Sequence, residues 1–242
     1  MSLRRIATAC IVLCAALSVG GAPALAVSLP MRTPGPGNVW VAKVVYPTVA
    51  RSMPSTSARG MGVISTVSKW GSPVVLLVLG AHVDTAGLPW LRVRADRRPN
   101  GSAVWIDARD TVPFLDPWRL SISRERRKLR VYRDGHVRRT FAVVVGTPST
   151  PTPVGLFAVA AEVRQPDPTA FLGSWVLPLT AHSDALRHFE GGDGQLALHG
   201  RGAASLIDPL GSARSHGCVR LTNDAIDWIA THVPAGTPVR IR

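Results

Sequence analysis

The chain has 242 residues, with 28 lysines and arginines against 15 aspartates and glutamates, and a formal net charge of +13. That length is enough for two modest cores, and the charge balance favours anionic surroundings and disfavours basic partners. Only three cysteines occur, two of them within the first 14 residues, so a disulfide-stapled scaffold is excluded.

The chain opens MSLRRIATACIVLCAALSVGGAPALAVS. Arg4 and Arg5 precede an apolar run from Ile6 to Val19, and the small-residue site Ala24-Leu25-Ala26 follows, which is the pattern of a secretory signal peptide cleaved after Ala26. Gly20, Gly21 and Pro23 stop the run short of the roughly 20 residues of a membrane span, so no stable span is expected after cleavage. Lipidation at Cys14 is disfavoured by the bulky Leu13 before it. Export to the cell wall or periplasmic space argues against nucleic acid as the partner of the positive charge. Anionic cell-wall polymers and phospholipid headgroups fit it better, beside the plainer reading of a solvated basic surface.

Residues 27–38, VSLPMRTPGPGN, combine proline and glycine without apolar periodicity and read as a linker. Residues 39–115 carry short β-rich runs, VWVAKVV, VVLLVLGAHV, WLRVRA and AVWIDA, whose spacing predicts a small barrel. The segment LPWLRVRADRRPNGSAVWIDA resembles the bacterial Src-homology-3-like modules found on wall enzymes. Trp90 and Trp105 are then expected in the barrel core, where such large rings bury most area.

A second unit is expected over residues 116–242. Leu120 and Ile122 alternate, as do Leu129 and Val131, and Asp134-Gly135 reads as the tight turn of a hairpin continuing through Val137 and Phe141. Three prolines within TPSTPTP force a surface connection before the strand LFAVAAEV. Further strands are expected at WVLPL, QLALH and TPVRIR. Ser183 is placed to cap a short helix reaching about Phe189, and Thr222 or Asn223 to cap one presenting Ala225, Ile226, Ile229 and Val233 on one face. The fold class expected is mainly β, a small barrel followed by a β-sandwich with short helices.

The stretch LHGRGAASLIDPLGSARSHGCVRLTN holds Cys218, the one cysteine beyond the signal segment. A thiol with no second cysteine beyond the signal segment to form a disulfide is a liability in an oxidising compartment, which points to reactivity, although cysteine is also among the most buried residue types. Leu196 and Leu198 alternate on a strand, so His199 falls at its end, and the glycine-rich chain that follows is long enough to bring Cys218 back to it. A nearby imidazole takes the thiol proton or pairs with the thiolate, and Gly217 permits close approach of a substrate carbonyl. Amide hydrogens around Gly217 and Cys218 are candidates for an oxyanion hole. The constellation suits cysteine-based acyl transfer. A zinc site on His199, His216 and Cys218 is a rival reading that lacks an HExxH-type ligand set. A sortase-like enzyme is another, but Arg220 lies too close to the cysteine. A catalytically silent wall-binding protein is the third.

SHGCVRL with an upstream His-Gly resembles the signature of the L,D-transpeptidase catalytic domain family. LRVYRDGHVRRTFAVVVGTPSTPTPVGLF and FEGGDGQLALHG are similar to that family's hairpin, its TPTPxGxF loop and the strand before the catalytic segment. The resemblance implies that Cys218 is the nucleophile and His199 the general base oriented by the Gly200 carbonyl, without metal or other cofactor. Ser215, His216 and Gly217 belong to the same motif, and Arg220 is implied to meet substrate carboxylate or to support the loop, with an ion pair to Asp224 or Asp227 as the structural alternative. The implied substrates are peptidoglycan stem peptides: a tetrapeptide donor loses its terminal D-alanine and an amine of a neighbouring stem forms a third-residue to third-residue crosslink. Water as acceptor would make the enzyme an L,D-carboxypeptidase. The motif lies wholly in the second unit, so residues 116–242 are expected to keep the acylation chemistry while residues 39–115 bind wall.

Overall fold

A computed structural model describes residues 37–189 and 191–242. The expected signal segment and nearly all of the expected linker lie outside the described residues. The first unit contains β1 (Val39–Val44), β2 (Thr48–Arg51), β3 (Gly60–Ile64), β4 (Val75–Val83), β5 (Pro89–Arg94), β6 (Ala103–Asp107) and β7 (Thr111–Asp116). The second contains β8 (Trp118–Ser123), β9 (Lys128–Arg133), β10 (His136–Ala142), β11 (Val145–Gly146), β12 (Gly155–Ala158), β13 (Val163–Arg164), β14 (Trp175–His182) and β15 (Gln195–His199). It continues with β16 (Ala213–Ser215), β17 (Val219–Arg220), α1 (Asn223–His232) and β18 (Pro238–Ile241).

The first seven strands form one sheet in the order β3-β2-β6-β5-β4-β1-β7. Ala42, Ala50, Val78, Leu91, Val93, Val104 and Ile106 share a single apolar cluster. Ala42 on β1 and Ala50 on β2 lie far apart in that order, so the sheet curls to bring them together. Trp90 is buried and its indole N–H donates to Asp84 at 3.0 Å. Trp105 is half-buried, edge-on to His82. Strands β2, β3 and β7 add to the four runs expected from sequence. Their short or poorly alternating patterns (TVAR, GMGVI, TVPFLD) carry little periodic signal.

In the second unit a five-stranded sheet, β10-β9-β8-β18-β12, and a four-stranded one, β13-β14-β15-β17, enclose one core with α1. Alternation puts Leu120, Ile122, Leu129 and Val131 into that core against Leu177, Leu179, Leu196 and Leu198. Asp134 and Gly135, both with positive φ, make the two-residue turn between β9 and β10. Thr222 caps α1, its hydroxyl accepting the Ala225 amide at 3.2 Å, and Ala225, Ile226, Ile229 and Val233 are buried. The helix expected after Ser183 does not form. The Ser183 hydroxyl instead accepts the Leu186 amide at 3.0 Å in a bend, because the carbonyls of this segment are taken by the first unit, as described below.

The two units meet at Pro117, between β7 and β8. The preceding Asp116 is buried; its carboxylate accepts from the Thr237 hydroxyl at 2.5 Å and the Trp118 amide at 2.9 Å. Burial raises its pKa above 3.8, and these two hydrogen bonds oppose the rise. A carboxyl raised in this way favours folding most below its unfolded pKa and progressively less as pH climbs through the folded value. Asp116→Asn is therefore expected to be at least as stable as wild type at pH 7. Asp116→Ala, which orphans both donors, should lose about 1–3 kcal/mol. Urea unfolding at pH 4 and pH 7 measures both.

Candidate active site

Strand β15 pairs in parallel with β17, Leu198 opposite Val219 and His199 opposite Arg220. Leu198 and Val219 point into the core, so His199 and Arg220 share the opposite face. Cys218 immediately precedes β17, on the row next to the strand that ends in His199, and neighbouring rows lie only about 4.8 Å apart. The loop expected to fold back thus does so through strand pairing. Cys218 is half-buried.

His199 is 2% exposed. Its Nδ1–H donates to the Gly200 carbonyl at 2.8 Å, which leaves Nε2 with the lone pair. Burial depresses the imidazole pKa to about 4, aided by the Arg220 charge and opposed by the carbonyls of Gly200 and Leu172. The Phe171 ring lies 6.3 Å away, centre to centre.

The turn at Gly200 is held by Asn223. Its Oδ1 accepts the amides of Ser174 at 3.2 Å and Arg201 at 3.1 Å, and its Nδ2 donates to the Pro168 carbonyl at 3.0 Å. A side chain at either Gly173 or Gly200 would collide with that Oδ1, so both must be glycine. Sequence reasoning offered Asn223 only as a helix cap. Its position beside the true cap Thr222 masked its work on two loops 20 and 50 residues upstream.

Ser215 is fully buried and joins the ends of the cysteine turn. Its hydroxyl donates to the Cys218 carbonyl at 2.6 Å and accepts the Gly217 amide at 3.1 Å. One of the two amides considered for an oxyanion hole therefore has an intramolecular acceptor here. Gly217 has φ +120°, a left-handed conformation suited to glycine. Beneath it, buried Thr152 of the TPTP loop donates to the Gly217 carbonyl at 2.8 Å and accepts the Gly146 amide at 2.9 Å. This gives the proline-rich connection a supporting function.

Arg220 is buried and pairs with Asp208 at 2.6 Å, not with Asp224 or Asp227; Asp208 belongs to the excursion between His199 and Cys218. The guanidinium also lies over the Phe171 ring at 4.8 Å. Its Nε–H has no acceptor among the described residues. His216 is exposed, with the Phe189 ring tilted against it at 5.2 Å, centre to centre. Of the remaining histidines, His232 stacks on Trp228 and His188 is exposed, whereas His182 is buried.

The segment carrying Phe189 is fastened by the first unit. Arg98 donates to the carbonyls of Ser183 at 2.7 Å, Asp193 at 2.9 Å and Leu186 at 3.3 Å. Asn100 binds both backbone groups of His182, at 2.7 and 2.8 Å. Gln195 donates to Asp96 at 3.0 Å. The RPNGS turn that carried the Src-homology-3-like resemblance is thus the piece that grips the segment whose Phe189 lies beside His216.

With this geometry in view, the likeness to known proteins is specific. The YkuD profile, described as an L,D-transpeptidase catalytic domain, matches residues 117–241, more than half of the chain, and the protein belongs to that family. A Bacillus licheniformis protein described as an L,D-transpeptidase, YkuD, is 33% identical over 132 residues, 54% of this chain and 67% of the relative. Its Bacillus subtilis namesake is 29% identical over 129 residues, 53% of this chain and 68% of the relative. Among solved structures, an L,D-transpeptidase from Mycobacterium smegmatis is 19% identical, with 83% of this chain and 93% of that one covered at a TM-score of 0.42. An Enterococcus faecium L,D-transpeptidase is also 19% identical, with 54% and 56% covered at 0.39.

Two outcomes follow from the geometry. The His199 imidazole is expected to stay neutral, protonated at Nδ1, down to near pH 4, as read from ring nitrogen chemical shifts; a midpoint near 6.5 would contradict its burial. Because the unfolded imidazole protonates near 6.5, this group's stabilising contribution is complete above that pH and is lost as pH falls toward 4. Arg98→Ala should speed amide hydrogen exchange at Ser183, Leu186 and Phe189 at least tenfold and leave β8 and β9 unchanged, since charge-assisted bonds of this kind are worth about 1.5–3 kcal/mol.

Proposed function

We propose that the protein is an exported, cysteine-dependent peptidoglycan L,D-transpeptidase. The observation that carries this reading is the buried neutral His199, locked by Gly200 with Nε2 as the acceptor nitrogen, on the strand paired with the one Cys218 enters. Nε2 takes the thiol proton as Cys218 Sγ attacks the carbonyl of the third residue of a stem tetrapeptide. The same proton then passes to the departing amine of D-alanine, leaving a thioester. The amine of a neighbouring stem attacks the thioester and gives up a proton to His199, which passes it to the departing Sγ, so that the new amide bond forms as the thiol and the neutral imidazole are restored.

The oxyanion role is assigned to backbone around Cys218, with Ser215 holding the turn in shape. Arg220 supports the long loop through Asp208, and its unmatched Nε–H supports the further assignment that it meets a substrate carboxylate. The first unit is proposed to be the Src-homology-3-like module of residues 39–115. Its grip on the Phe189 segment favours a structural share in the site beside any wall binding.

The test is the reaction. Protein beginning after Ala26, incubated with disaccharide-tetrapeptide, should release D-alanine and form dimers joined third residue to third residue. Accumulation of tripeptide monomer alone would assign an L,D-carboxypeptidase. A carbapenem should add its mass at Cys218 and not to Cys218→Ala, whose turnover should fall at least 1,000-fold. His199→Ala should lose nearly as much, because the pair acts as one unit. Acylation at Ser215, or turnover of pentapeptide stems, would overturn the reading.

A further inference from the structure

The outer face of the five-stranded sheet is basic. Where Leu120, Ile122, Leu129 and Val131 point inward, Arg119, Ser121, Ser123, Lys128 and Arg130 point outward by the same alternation. Register sets Ser121 beside both Arg130 and Arg240, and Ser123 beside Lys128. Two hollows run along this face. One, of about 540 Å³, is walled by Leu77 and Leu79 of the first unit and holds Arg119, Arg240 and Arg242. The other, of about 430 Å³, holds Arg126, Lys128, Arg130 and Arg242. Ser121 and Arg242 line both, so the hollows form one trough.

Glu125 is the one acidic side chain lining it. Among the described residues none of these six cations forms an ion pair with a carboxylate; the pairs formed involve Asp107, Asp134, Asp96, Asp193 and Asp208. The uncompensated field reaches the first unit. Buried Arg94 is held below its ordinary pKa first by desolvation and then by the charges of Arg92 and Arg240.

We propose that this trough binds a linear polyol-phosphate polymer, a phosphodiester chain with small hydroxylated spacers. Charge complementarity requires a polyanion, and the shape narrows the choice. Cations on alternate strand residues repeat at roughly 7 Å, with serine hydroxyls between rows, which suits single phosphates separated by short spacers. A single-stranded nucleic acid would need a free aromatic face for its bases. The one aromatic ring in the trough, Tyr132, is covered by the Arg119 guanidinium at 4.5 Å. A planar bilayer would not reach the floor, where Ser121 is buried beside the Leu77–Leu79 wall. The trough lies across the core from Cys218, so its ligand is held apart from the reacting thiol, and the proposal does not depend on the reaction.

Fluorescently labelled poly(glycerol phosphate) is titrated with the protein beginning after Ala26, and anisotropy is followed at several salt concentrations. Arg130→Gln with Arg242→Gln should weaken binding at least tenfold. It should also reduce the slope of log affinity against log salt by about 1.4, from about 0.7 per phosphate contact. The paired lysine substitutions should restore most of the affinity. Arg126→Gln with Lys128→Gln, both at exposed positions, provides a second loss if the first pair fails to fold. An unchanged rate of Cys218 alkylation by iodoacetamide reports an intact opposite face. Polymer binding with an unreactive Cys218 would sink the proposed reaction and leave this site standing. Equal affinity of wild type and both glutamine pairs would overturn the proposal. So would single-stranded DNA of equal charge, or phosphatidylglycerol vesicles, binding as tightly as the polymer.

Discussion

The hydrogen bond from His199 Nδ1 to the carbonyl of the next residue fixes which ring nitrogen bears the proton, and the site is arranged around it. A side chain donates to the carbonyl of the very next residue only if the chain turns sharply there. Gly200 makes that turn, and the close packing of Gly173 against it leaves no room for a side chain on either. The Asn223 amide bridges the two loops from the first residue of α1. The helix therefore serves as an anchor for the base as well as a lid on the core. Parallel pairing of β15 with β17 then sets the thiol's strand beside the imidazole's.

The environment that fixes the tautomer also discourages its protonation. A buried imidazole beside the Arg220 guanidinium is neutral over the whole physiological range, so in the proposed reaction the thiol would meet a base ready to accept a proton. Such a base gains little from forming a standing ion pair with a thiolate. In the reaction proposed above, deprotonation accompanying attack, when the substrate carbonyl is already in place, is the mode this environment favours, and it would keep the resting thiol from standing as a strong nucleophile.

What the sequence revealed was what depends on short range. The Asp134-Gly135 turn, the inward rows of β8 and β9, the buried face of α1 and the strand ending at His199 are all written in local pattern. The remainder depends on partners far along the chain. Arg220 has acids four and seven residues away, yet pairs with Asp208, because its strand orientation turns it from α1 toward the excursion. Ser183 looks like a cap, yet no helix follows, because Arg98 and Asn100 take the carbonyls of the segment. Thr152 sits in a run that reads only as a proline-rich connection, and its contact with Gly217 spans 65 residues. No period or propensity encodes such pairings.

The grip of the RPNGS turn on the Phe189 segment has an evolutionary corollary. Catalytic and accessory units that touch only through a linker can be exchanged freely by recombination. Here the segment that sets Phe189 beside His216 is fastened by side chains encoded some 90 residues upstream, so a swap of the first unit for an unrelated one would leave the carbonyls of Ser183, Leu186 and Asp193 without those donors. A replacement for the first unit would have to carry equivalent donors, and an insertion within the turn would loosen the Phe189 segment.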